Sequence, residues 1–315
     1  MAHKQPENES TEDKAAHEEE IWLLGQPSLR KYLDFVEDMA VGGATVNPAV
    51  LAEEWRMAND YYRELEDREA GIADKVECRD LAPALAPLAA EIMAHPAYRQ
   101  TFDTFPTGFG MVELDRLVLC QIHVTRNYVD ALQSRLTPAP DPATLIRFCL
   151  PLDQPVAPVQ IRRVGSKRYV FRSDSMDFRF HEPVLLRPEQ IQEYNTFGQI
   201  AGVVGLVVGF SSNFLNVIRF GDRLLLHNGY HRACALRATG ITHAPCVIQT
   251  VTRRDELNVI AKSNVVEDPN FYFRARRPPL LKDFFDPKIR KVLQIQKMVR
   301  MIEVNFEVRD FLVPA

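Results

Sequence analysis

The sequence predicts an α+β protein: a helical N-terminal domain, then a mixed α/β domain, then a basic helical C-terminal segment. Three observations predict it. Apolar residues recur at steps of three and four between about residues 21 and 150, the period of a helix face. After the Pro-rich stretch TPAPDPA, residues 137 to 143, the pattern changes to short alternating runs of the kind strands make. From Arg274 to Arg300 nine basic residues face only Asp283 and Asp286. These readings divide the chain into an acidic tail (1–20), a helical domain (21–150), a mixed domain (151–265) and a basic segment (266–315).

The first twenty residues, MAHKQPENESTEDKAAHEEE, carry seven acids between Glu7 and Glu20 and no basic or apolar leader pattern, so they read as a disordered tail rather than a targeting peptide. In NPAVLAEEWRMANDYYRELEDREAG, Leu51, Trp55, Ala58, Tyr62 and Leu65 hold one helical face behind an Asn-Pro start. VELDRLVLCQIHVTRNYVDALQSRL reads as a second helix, with Leu114, Leu117, Val118, Gln121, Val124, Tyr128, Leu132 and Leu136 on one face until Pro138. Cys120 and His123 lie in it and are expected to pack or to face solvent rather than to bind a ligand.

In the second part, VQIRRV and RYVFRS flank Gly-Ser-Lys as a hairpin, and MDFRFHEPVLL continues with alternating character. EQIQEYNTFGQIAGVVG is expected to form a helix. Its glycines match neither G-x-G-x-x-G nor G-x-x-x-x-G-K, so close packing explains them better than a phosphate loop. Asp174, Asp177, His181 and Glu182 alternate along a strand and are expected to be solvated rather than to hold a metal. NVIRF and RLLLH join through Gly221-Asp222, the helix from Tyr230 to Thr239 ends at Gly240, and APCVIQTV is another strand. A strand, helix, strand order implies a parallel right-handed crossover.

Composition bounds function. With 38 basic and 42 acidic residues the net charge is -4, so nucleic-acid binding would need a local patch. Five cysteines without metal-ligand spacing fit a reduced cytoplasm. The longest apolar run, IAGVVGLVVGF, has 11 residues, against the roughly 18 a membrane helix needs.

The chemistry concentrates at LLLHNGYHRACALRATG, residues 224 to 240. His231 and Arg232 stand at a helix start, where the backbone dipole already favours anions and a cation costs roughly 0.3–1 kcal/mol. A phosphate there would meet the backbone N–H groups of Asn228 and Gly229, while His231 and Arg232 supply side-chain donors. The competing reading pairs His231 and Arg232 with an acid such as Asp222 or Glu267.

RLLLHNGYHRACALRATGITHAPCVIQTV resembles the segment shared by the partition protein ParB and by sulfiredoxin, over about residues 183 to 252. The resemblance implies a pocket for nucleotide phosphates, with Gly229, His231 and Arg232 at the family positions, and ATP or CTP with Mg²⁺ as the cofactor. The chain departs from it in three places. Tyr230 stands where sulfiredoxin-like proteins carry a reactive cysteine, and where partition proteins carry an acid ahead of two arginines. Asn228 replaces the aspartate of related phosphotransferring proteins. SNVVED keeps only Asn264 of the Glu-Asn-x-x-Arg element.

Two functions follow as expectations. The first is a nucleotide-dependent enzyme or switch using Asn228, Gly229, His231 and Arg232. The second is a non-enzymatic module that meets nucleic acid or an acidic protein through Arg274, Arg276, Arg277, Lys288, Arg290 and Lys291. Phe271, Tyr272, Phe273, Phe284 and Phe285 are interleaved with these cations and can stack on bases; alternatively they anchor the segment to the core. The helical domain is the expected surface for self-association.

Overall fold

β1 (His17–Leu23) comes first among the described residues, followed by α1 (Leu29–Met39), α2 (Pro48–Arg68), β2 (Cys78–Arg79), α3 (Ala86–Ala94), α4 (Pro96–Thr101), β3 (Thr107–Glu113), β4 (Val118–Leu119), β5 (His123–Thr125), α5 (Arg126–Gln133) and α6 (Pro142–Cys149). Then come β6 (Val159–Val164), β7 (Arg168–Ser173), β8 (Phe178–Leu186), β9 (Val203–Phe210), β10 (Asn216–Phe220), β11 (Arg223–Asn228) and α7 (Tyr230–Ala238). β12 (His243–Val251), α8 (Arg254–Ile260), α9 (Ser263–Glu267), α10 (Pro269–Phe273), β13 (Arg290–Gln296) and β14 (Arg300–Asn305) complete it. The computed structural model describes residues 17–26, 28–152, 156–190 and 198–312. Its mixed helix and strand content is that of an α+β protein.

The chain divides into two compact units, one from residues 1–152 and 213–297, the other from 153–212 and 298–315. The first unit holds a six-stranded sheet of order β2-β3-β12-β10-β11-β4 and a three-stranded sheet of order β13-β1-β5. The larger sheet lies in a core where Leu117, Val118, Leu119, Val217, Ile218, Leu225, Leu226, Val247 and Ala233 are all at most 0% exposed. A second core gathers Trp22, Tyr32, Val36, Leu51, Ala58, Tyr62, Leu65, Leu293 and Ile295 around α1 and α2. The second unit holds the sheets β14-β7-β6 and β8-β9.

Several expectations hold. α2 starts on the Asn47 cap, whose side chain accepts from the Ala49 N–H, and buries Leu51, Ala58, Tyr62 and Leu65. β6 and β7 form the predicted hairpin, and β10 and β11 pair through the tight turn at Gly221, φ 61°. α7 ends at Gly240, φ 91°, in the left-handed conformation that glycine adopts most cheaply.

Other expectations are corrected. Residues 21–150 are not helical throughout: β1 begins at His17, inside the segment read as tail, and β3, β4 and β5 occupy much of 107–125. Residues 1–16 lie outside the described chain. The helix read over 112–136 is helical only at Arg126–Gln133. Leu117, Val118, Leu119 and Cys120 are buried in succession, and a run buried on every side satisfies a three-and-four spacing without being a helix. The helix read over EQIQEYNTFGQIAGVVG is corrected where it can be judged, since Val203–Phe210 is strand β9 and residues 191–197 lie outside the described chain. The basic C-terminal segment is helical only in short pieces, α10 and a 3-10 turn over Leu281–Phe285, and its longest elements are strands. β13 alternates buried Leu293 and Ile295 with exposed Val292, Gln294 and Gln296, the period of a strand lying on a core.

The strand, helix, strand crossover is corrected as well. β11 and β12 lie on either side of β10, β11 antiparallel to it and β12 parallel, so α7 joins two antiparallel strands separated by a third.

Candidate functional site

β11 delivers Asn228 to the edge where α7 begins, and Gly229 makes the corner at φ 88°, ψ 23°. The Gly229 N–H donates to Asn228 Oδ1 at 2.9 Å, so the asparagine closes its own turn. A Cβ on Gly229 would stand 2.7 Å from Leu215 Cδ1 and 2.9 Å from its Cα. The glycine is thus needed for the close approach of Leu215. Gly229→Ala is expected to cost about 1–3 kcal/mol, because a left-handed φ and a backbone clash coincide. A denaturant titration with an unchanged midpoint would refute this.

His231 is partly buried, and its Nε2 accepts from the Thr125 N–H at 3.1 Å. That bond places the ring proton on Nδ1. The ring meets Tyr128 edge-on at 5.0 Å. Arg232 is 3% exposed, with Nη1 donating to the Asn213 carbonyl and the guanidinium over the Phe148 ring at 5.9 Å. The first turn of α7 contains no acidic residue and no side-chain cap. Asn228, Gly229, His231 and Arg232 are thus brought together at one helix opening.

The basic set is not gathered into one open face. Arg277 is 1% exposed, gripping Asp283 with two bonds of 2.8 and 2.6 Å and Glu69 through Nε at 3.0 Å. Arg276 pairs with Asp67 at 2.9 Å, Lys282 with Glu69 at 2.8 Å and Lys291 with Glu54. Lys288 sits over the Tyr61 ring at 4.4 Å, Arg290 donates to the Phe284 carbonyl at 3.0 Å, and Arg274 is exposed at the end of α10. α2 supplies Glu54 and Asp67, and Glu69 stands at its C-terminal cap. Phe284 and Tyr272 are buried in the core rather than presented to bases. Within 274–291, Arg276, Arg277, Lys282 and Lys291 thus meet acids of the same chain.

No family model, curated protein or solved structure matches this chain.

Sequence reasoning missed the groups packed around the start of α7. Tyr230, 3% exposed, donates to the Leu226 carbonyl at 2.6 Å, accepts from the Cys120 N–H at 3.1 Å and lies 3.0 Å from Cys120 Sγ. Burial raises both the Tyr230 hydroxyl and the Cys120 thiol above their ordinary ranges, which keeps both protonated at neutral pH. Asn264 donates to the Cys120 carbonyl at 2.8 Å and to the Tyr272 hydroxyl at 2.9 Å. It ties α9 to the sheet. Lys262 completes the group over the Tyr230 ring at 5.0 Å. Tyr230 therefore fills a structural role here, and nothing in the local sequence pairs it with Cys120, 110 residues away.

Among the described residues, no three His, Cys, Asp or Glu side chains gather to hold a metal, and no helix is long and apolar enough to cross a membrane.

Proposed function

We propose that this chain binds a phosphate-bearing ligand, a nucleotide such as ATP or CTP carried with Mg²⁺, at the opening of α7, and that the domain around it is of the ParB/sulfiredoxin-like kind. One observation carries the reading: the first turn of α7 holds His231 and Arg232 but no acid and no side-chain cap. The peptide dipole and the Arg232 charge then carry the same sign at one end of a helix, which an anion relieves. With Gly229 N–H engaged by Asn228, the donors left to this role are those of the first helical turn, and Asn228 and Gly229 shape the corner instead. His231 keeps its place through Thr125. Mg²⁺ would arrive on the phosphates, since the turn itself has no carboxylate to hold it.

The reading through the basic segment has less support. Arg276, Arg277, Lys282 and Lys291 already meet carboxylates, so a nucleic acid would have to displace them. A switch or an enzyme using the bound nucleotide is the form of the first reading that the motif resemblance favours.

Thermal melts of the full chain with ATP, CTP or inorganic phosphate, each with Mg²⁺, test it. A ligand at 100 times its Kd stabilises by about 2.7 kcal/mol, which is roughly 5–10 °C for a chain of this size. Arg232→Lys keeps a buried cation but loses the planar fork, and is expected to lower the affinity on the order of tenfold. No shift with any of the three ligands would overturn the proposal.

A further inference from the structure

The face of β1 and β5 turned towards α1 carries a second arrangement of side chains, of which the α7 reading uses only the Thr125 backbone N–H. β1 pairs with β5 so that Glu20 stands opposite Thr125 and Trp22 opposite His123. These four side chains share one face of the sheet. Glu20 Oε1 meets His123 Nδ1, and Glu20 Oε2 accepts from Thr125 Oγ1 at 3.0 Å. The Glu20 side chain is only 5% exposed, whereas the His123 ring is 41% exposed. Trp22 stacks on that ring at 5.2 Å with 16° between planes, and Gln121 Nε2 donates to the His123 carbonyl at 2.8 Å. The ring is thus held in plane and position, with Nδ1 turned inward. None of the described hydrogen bonds uses His123 Nε2.

The other described histidines lack this combination. His243 has both nitrogens engaged, by Thr242 and by an exposed Glu77. His95 accepts through Nδ1 from Ala97 and His231 through Nε2 from Thr125, while His227 is buried. His17 and His181 are exposed on β1 and β8, and among the described ion pairs only that of His123 joins a buried carboxylate to a solvent-reachable ring.

A carboxylate on Nδ1 keeps the proton there and leaves the lone pair on Nε2. Metal binding would need further ligands, and none gather among the described residues. A general base would need a pocket that places a hydroxyl on the ring. A nucleophile needs only a donor that reaches it.

We propose that His123 Nε2 is a phosphoryl-accepting nucleophile for small activated phosphoryl donors of the phosphoramidate or acyl phosphate class, with Glu20 as its positioning residue. The Nε2 lone pair forms a bond to phosphorus while the bond from phosphorus to the donor's leaving nitrogen or oxygen breaks. The leaving group departs with that electron pair, as ammonia from phosphoramidate or as a carboxylate from an acyl phosphate. Nδ1 keeps its proton, so the phosphorylated ring becomes cationic, and Glu20 is the charge that neutralises it.

The test is incubation of the full chain with phosphoramidate, followed by peptide mapping and phosphorus NMR. The expected product carries one phosphoryl group on His123 Nε2, stable in base and lost in acid. His123→Gln is expected to abolish it, and Glu20→Gln to slow it on the order of tenfold, with Glu20→Asp restoring part of the rate. Where Glu20→Gln unfolds the protein, Thr125→Val, which removes one hydrogen bond to the same carboxylate, is expected to slow labelling while the melt is retained. Absence of label, label spread over the histidines according to exposure, or full-rate labelling of folded Glu20→Gln or Thr125→Val would each overturn the proposal.

Discussion

Arg277→Ala is expected to destabilise the protein by about 3–5 kcal/mol, the cost of breaking a buried ion pair from one side. Arg277 is 1% exposed and Asp283 2%. Two parallel bonds join them, Asp283 Oδ2 also accepts from the Leu280 N–H at 2.8 Å, and Glu69 holds Arg277 Nε. The Tyr62 ring lies 4.9 Å from the guanidinium, and its hydroxyl donates to the Arg277 carbonyl at 2.8 Å. Burial pushes the Asp283 carboxyl up, and Arg277 is the main force opposing it. Truncating the arginine therefore leaves a buried carboxylate without its counter-charge and a void beside Tyr62. At roughly 2–4 °C per kcal/mol, the melting temperature is expected to fall by about 6–20 °C. The paired replacement Arg277→Met with Asp283→Leu removes both charges and is expected to cost less than the single change. A single variant within about 1 kcal/mol of the parent, or a pair costing more than Arg277→Ala, would refute the account.

The same residue shows what the sequence of the basic segment does not reveal. Nine cations between Arg274 and Arg300 are visible as a run, but their partners are not. Glu69 is 208 residues from Arg277 and Glu54 is 237 from Lys291, and no local pattern announces that α2 lies against them. Secondary structure fails in the same place for a related reason. Val292, Leu293, Ile295, Val299 and Ile302 fit a helical step as well as an alternating one, and the choice is made by β1, which pairs with β13 from the other end of the chain. Where the information is local it was legible: Asn47-Pro48 starts α2, Gly221 turns β10 into β11, and Gly240 ends α7. The motif at 228–232 was legible as a helix opening with two basic residues. Its engagement by Leu215, Thr125 and Asn213 depends on distant segments and was not.

His227 provides the second large effect, and its sign follows from burial. The ring lies near the end of β11 with Nδ1 buried and without a hydrogen-bond partner among the described residues. Burial, with a smaller push from the Lys262 charge, drives the imidazole from its ordinary 6.5 down to about 4. Between those values the unfolded chain takes up a proton that the folded chain refuses. The stability associated with a neutral His227 is therefore complete above about pH 6.5 and is lost as pH falls towards 4, a total of about 3 kcal/mol at 1.36 kcal/mol per unit. Carboxylates also contribute to the acid dependence, Glu69 among them, its carboxyl held below the ordinary range against its own burial by Lys282 and Arg277, so the informative quantity is a difference between two proteins. His227→Phe has nothing to protonate and removes a buried nitrogen without a partner. Relative to the parent, it is expected to gain about 3 kcal/mol between pH 7.5 and pH 4 in urea titrations. Parallel stability curves for parent and variant would show that water or a proton already reaches the ring, and that the inward end of β11 is not the dry site its neighbours make it.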